Sequence, residues 1–180
     1  MSENKKSSFL VSHADFEFSV DNLIPSNKIK FHPRFDKFLN IARSMSESSK
    51  YEKYRIGAIL VVKGKIIARG FNAAKGNPLQ KRYNLGRSDV GDGAPHYIHA
   101  EMDILRQIRN KDVDLKNAEL FIFHINTRDE QRLARPCAAC MEAIKDKLIP
   151  VIHYSTPNGF ATEYISQDQK IMVNKALRPI

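Results

Sequence analysis

Cysteine is almost absent: the 180 residues include only Cys137 and Cys140. One pair three residues apart excludes the multi-disulfide framework of small secreted domains, so a core must hold the fold. It also leaves no cysteines for a second cysteine-based metal site. Long apolar runs are missing too. No stretch approaches the roughly eighteen consecutive apolar residues of a membrane-spanning helix. Residues 1–8 are polar and lack the apolar segment of a secretory leader. The expectation is a soluble, cytoplasmic protein with no membrane partner. Acidic side chains are in deficit, 20 against 29 Lys plus Arg, for a net charge of +9. The length suits one domain with a sizeable core and is short for two.

The residues that carry chemistry fall in two short stretches, His99-Ala100-Glu101 and Pro136-Cys137-Ala138-Ala139-Cys140. One His and two Cys give a tetrahedral zinc three protein ligands and leave the fourth position to water, the pattern of a catalytic site. On the first turn of a helix, Cys137 and Cys140 can face the same side. Pro136 suits the first helical position, and the helix dipole favours the thiolates. His99 opens a second helix, expected to run to about residue 110 with Met102, Ile104, Leu105 and Ile108 on its apolar face. Glu101 lies about 200° round that helix from His99, which makes it a poor fourth ligand and a good neighbour for the water. Zinc lowers the pKa of bound water to about 7, and a carboxylate beside it can carry protons to a leaving group. Alone, Cys-x-x-Cys also reads as a redox pair, and His-x-Glu occurs by chance. Together, in this order, they point to zinc.

The pair of motifs, H-x-E followed by P-C-x-x-C, resembles the zinc-dependent cytidine and deoxycytidylate deaminase superfamily. The resemblance implies Zn²⁺ as cofactor, hydrolytic loss of ammonia and Glu101 as proton shuttle. It implies an α/β three-layer sandwich over residues 33–165, a mixed five-stranded sheet with helices on both faces. Residues 1–32 would form an N-terminal arm and 166–180 a tail. Gly70-Phe71-Asn72 matches the step at which the family contacts the sugar of its substrate, which assigns Asn72 to substrate binding; Ala100 joins it. Asn also simply ends strands. Family members with this pattern usually have Gly after the Asn, where this chain has Ala73. Relatives commonly assemble, so a homo-oligomer is expected.

Along the rest of the chain, apolar positions 35, 38, 39, 42 and 45 predict a helix over residues 33–49. Residues 55–62 and 66–71 read as a hairpin around Lys63-Gly64-Lys65. Residues 73–98 read as a long, functional loop, with His96 left out of the ligand set. A buried strand is expected at 118–125 and further strands at 149–154 and 160–165. Leu148 should continue the second metal-bearing helix. Helices following strands imply parallel neighbours, with both ligand-bearing helix starts at the carboxyl edge of the sheet.

Nine basic side chains and three acidic ones lie between residues 51 and 98, so six of the nine net charges sit in the hairpin and the loop. Such a field draws in an anion. Lys75, Lys81, Arg82 and Arg87 are the candidates for a phosphate. The expected reaction is therefore deamination of a small cytosine nucleotide, dCMP to dUMP. The alternative is a cytosine or adenine deaminase acting on RNA or single-stranded DNA.

Overall fold

A computed structural model describes residues 33–85 and 95–165; the arm at 1–32, the tail at 166–180 and Arg87 lie outside them. The elements run α1 (Pro33–Glu47), β1 (Arg55–Val62), β2 (Lys65–Phe71), β3 (Ala73–Gly76), α2 (Pro78–Asn84), β4 (Tyr97–Ile98), α3 (Ala100–Ile108), β5 (Ala118–Ile125), β6 (Gln131–Arg132), α4 (Ala138–Asp146), β7 (Val151–Thr156) and β8 (Gly159–Tyr164). No helix among the described residues is long and apolar enough to cross a membrane.

Five strands form a mixed sheet in the order β2-β1-β5-β7-β8, and β6 folds back onto the end of β5. The central strands β1 and β5 are apolar through their buried middles, residues 58–62 and 120–123, because both faces are covered there. Successive side chains point to opposite sides. Ala58, Leu60, Leu120 and Ile122 pack with α3 and α4, whereas Ile59, Val61, Phe121 and Phe123 pack with Phe38, Leu39 and Ala42 of α1. The result is the expected three-layer α/β sandwich.

Helix α1 lies close against β1 because Gly57 has no side chain. A Cβ there would stand 2.1 Å from the Ser46 backbone nitrogen and 2.3 Å from the Ala42 carbonyl oxygen. Gly57→Ala is expected to lower stability by about 3 kcal/mol, the upper range of overpacking, because backbone rather than a movable side chain must shift. Chemical denaturation measures it, and an unchanged midpoint would mean that α1 is not seated on β1.

Four expectations are corrected. First, the segment 73–98 is not one loop: it forms β3, α2 and β4, with residues 86–94 undescribed. Asn77 caps α2, its Oδ1 accepting the Leu79 and Gln80 amides, and Pro78 takes the first turn. Second, among the described residues only the β5-α4-β7 crossover joins parallel neighbours. β1 pairs antiparallel with both β2 and β5 and so lies between them, and the connection through α3 skips a strand. Third, Pro136 stands before the N-cap, since Cys137 is itself the extended cap of α4. Fourth, Leu148 does not continue α4. It sits beyond the end at φ 58°, where its amide and that of Ile149 return to the Lys145 and Ile144 carbonyls and close the helix.

Candidate active site

Because β1 runs antiparallel to both β2 and β5, those two strands end at the same edge of the sheet. The two ligand motifs meet there. His99 is the N-cap of α3 (φ −87°, ψ 158°) and Cys137 the N-cap of α4 (φ −67°, ψ 167°). Neither side chain caps its own helix; they turn toward one another instead. His99 Nδ1 is 3.6 Å from Cys137 Sγ and 3.4 Å from Cys140 Sγ. All three ligand atoms lie within 4.8 Å of one another. A tetrahedral zinc, with bonds of about 2.0 Å to nitrogen and 2.3 Å to sulfur, separates such N and S atoms by about 3.6 Å. The donor set fits the metal.

The electrostatics are those of a cation site. Hydrogen bonds from Cys140 and then His99 pull the Cys137 thiol down to about 4, so it is a thiolate at neutral pH. Burial, together with the bond it gives Cys137, pushes the Cys140 thiol well up. A soft divalent cation binds such a pair in exchange for the remaining proton. Glu101, at the second position of α3, is 4% exposed. Burial raises its carboxyl above the usual range, against the opposing pull of the His99 imidazole, and Cys140 lies within its hydrogen-bonding reach.

The start of α3 presses on the sheet through a second glycine. A Cβ on Gly70 would lie 2.7 Å from the Ala100 carbonyl oxygen. Ala100 is fully buried between the ligand and the acid.

Asn72 ends β2 as a staple. Its Oδ1 accepts the Ile56 N–H at 2.8 Å, its Nδ2 donates to the Tyr54 carbonyl at 2.6 Å, and its own carbonyl accepts from Ser49 Oγ. These bonds use one of the two Nδ2 hydrogens. The next residue, Ala73, pairs with Ile98, which immediately precedes His99. Asn72 is thus held beside the ligand segment. Lys75 is exposed on β3 and lines a cleft of about 200 Å³ with Phe71, Ala73, Ile98, Asp103 and Arg106. Lys81 and Arg82 are exposed on α2, the Arg82 guanidinium 5.8 Å from the centre of the Tyr83 ring. The structure therefore brings His99, Glu101, Cys137 and Cys140 together, sets Asn72 and Lys75 along the adjoining strands, and leaves Lys81 and Arg82 on the surface of α2. His96 bonds Asn84 (Nδ2 to Nδ1, 3.1 Å).

A loop reading of 73–98 gives no role to Gln80 or Asn84, which are buried on the inner side of α2. The signal for them was Asn77-Pro78, a cap followed by a first-turn proline.

Residues 34–156 match the profile of the cytidine and deoxycytidylate deaminase zinc-binding region. Among solved structures, the chain is similar to the dCMP deaminase of cyanophage S-TIM5, with 22% identity over 69% of this chain and 84% of that one and a TM-score of 0.47. The same phage enzyme in complex with dCMP and dUMP gives a TM-score of 0.46 at 22% identity, covering 69% of this chain and 82% of that one. Cytidine deaminase from Burkholderia pseudomallei is 14% identical over 72% of this chain and 91% of that one, with a TM-score of 0.50. No curated protein matches the sequence.

Proposed function

Because the chain belongs to the cytidine and deoxycytidylate deaminase family and is a zinc-dependent deaminase, we propose that its substrate is a cytosine mononucleotide, dCMP, hydrolysed to dUMP and ammonia. His99, Cys137 and Cys140 would hold the zinc, which when bound would supply a Lewis acid lowering the pKa of water to about 7. Glu101 would move the two protons of that water in turn, one to the pyrimidine ring nitrogen and the other to the amine that leaves as ammonia. Burial suits it to that work, since it raises the carboxyl above the ordinary range and so makes it a better proton acceptor than a free one. Ala100 closes the floor between ligand and acid. The second Nδ2 hydrogen of Asn72 is available to a sugar hydroxyl.

The observation that carries the mononucleotide reading is the course of β3. It leaves Asn72 opposite the segment that ends in His99 and brings Lys75 out two residues beyond Ala73. The cations of α2, Lys81 and Arg82, follow directly. One phosphate needs one or two cations at short range, whereas a polymer tracks many and binds with a steep salt dependence. A row of rings supports the polymer alternative: Tyr51 and Tyr54 stack at 6.4 Å, Tyr97 meets Tyr51 edge-on at 6.1 Å, and Tyr54 and Tyr97 are 46% and 37% exposed. Bases stack on such surfaces.

Turnover of dCMP, deoxycytidine, single-stranded oligonucleotides and tRNA, measured side by side, separates the readings. Lys75→Ala or Lys81→Ala is expected to raise KM about tenfold for dCMP and hardly at all for deoxycytidine, one charge-assisted contact being worth about 1.4 kcal/mol or more. An oligonucleotide or tRNA deaminated faster than dCMP at physiological salt overturns the mononucleotide substrate. Assembly into a homo-oligomer, in which residues 73–98 help close a neighbour's pocket, belongs to the same proposal; light scattering of the full chain tests it.

A further inference from the structure

The inner side of α2 carries two amides, Gln80 fully buried and Asn84 7% exposed. Burying a primary amide is costly unless its oxygen and nitrogen are both bonded, and here each bond leads toward the ligand histidine. Gln80 Oε1 accepts the backbone N–H of His99 at 3.2 Å, and Gln80 Nε2 donates to Asn84 Oδ1 at 2.9 Å. Asn84 Nδ2 lies 3.1 Å from His96 Nδ1, and the Asn77 amide donates to the His96 carbonyl at 3.1 Å. Helix α2 thus grips both ends of the four-residue segment 96–99 that delivers His99.

The His99 amide needs an outside partner. As the N-cap of α3, His99 uses its carbonyl to accept the Asp103 N–H, but its own N–H has no place in the helix. In a capping box a Glu or Gln at the third helical position reaches back to bond that N–H. The third position here is Met102, which is fully buried in the core. Gln80 supplies the missing acceptor from another helix.

We propose that Gln80 is a positioning residue for the zinc site: its bond to the His99 N–H sets the backbone orientation that points Nδ1 at the two sulfurs. The inference rests on the zinc reading of His99, Cys137 and Cys140. A purely structural amide would serve the packing of α2 and leave metal affinity alone. A positioning amide acts on the metal, and partners that orient metal ligands are typically worth 10- to 100-fold in affinity.

Chelator competition for zinc decides between these roles in Gln80→Met, Gln80→Glu and Asn84→Leu, with thermal unfolding recorded for zinc-loaded and zinc-stripped forms. Gln80→Met keeps the volume and loses the acceptor; it is expected to weaken zinc binding 10- to 100-fold. Its melting temperature should fall more in the zinc-loaded than in the stripped form. Gln80→Glu keeps an oxygen facing His99 and should retain affinity within about threefold of wild type. Asn84→Leu disturbs the same network without removing that acceptor, and it should lose far less affinity than Gln80→Met. Hydrogen exchange of the zinc-loaded wild-type protein adds a readout that needs no variant to fold: the His99 amide should be protected. Unchanged zinc affinity in Gln80→Met, equal losses in Gln80→Met and Asn84→Leu, or a freely exchanging His99 amide would each overturn the inference. Failure of the wild-type protein to bind zinc would instead remove the site reading on which it rests.

Discussion

Cys137→Ser should purify without zinc, show background deamination only and melt at a lower temperature than the wild-type protein, which should carry one zinc per chain. The expectation follows from what the thiol does. Its neighbours pull its pKa down to about 4, so the ligand is already charged at neutral pH. A serine hydroxyl stays protonated there and is a harder, weaker donor to zinc. Three ligands become two, and an open site with two protein ligands does not retain the ion against solvent. Metal binding contributes to folding where the donors converge only in the native state, and His99 and Cys137 come from caps 38 residues apart in sequence. Elemental analysis, turnover and melting of both proteins measure the three effects. Wild-type protein prepared without chelator and found free of zinc would sink the expectation.

Much of this site was legible before any coordinates because its chemistry is written in contiguous residues. His99 with Glu101, and Cys137 with Cys140, are each spaced within one helical turn, and one His with two Cys is an established open zinc donor set. The sheet was legible for a similar reason: a strand covered on both faces carries a continuous apolar run, as in Leu120-Phe121-Ile122-Phe123. Helix α2 was not, because its inner face carries Gln80 and Asn84 where a period of apolar residues would normally announce a helix. The register that sets Ala73 against Ile98, and with it Asn72 beside His99, depends on pairing across more than twenty residues. Sequence spacing alone does not encode it. Nor does spacing show that β1 comes to lie between β2 and β5. The left-handed turn at Leu148 was hidden by its residue type, since a C-terminal position of that conformation is ordinarily a glycine.

Glu101→Gln should hold zinc and fold as the wild-type protein does, yet turn over 10²- to 10⁴-fold more slowly. The amide matches the carboxyl in size, so Met102, Ile104 and Leu105 behind it keep their packing. It cannot take up a proton at neutral pH, and general acid-base groups contribute within that range. Because Glu101 would serve both the arrival and the departure of the proton, the loss belongs at the upper end. Stability should move the other way. Burial raises the folded-state pKa of Glu101 above its unfolded value, so the protonated form is the one the fold prefers. Whatever this group contributes to stability is present below the unfolded pKa and is lost as pH rises through the folded one. At pH 7, above the unfolded value, the raised carboxyl therefore contributes less to stability than a neutral amide would, and the zinc-stripped variant should melt no lower than the zinc-stripped wild type. Zinc content, melting temperature and kcat on one preparation test the three parts together. A zinc-loaded variant of near-wild-type turnover would take Glu101 out of the mechanism.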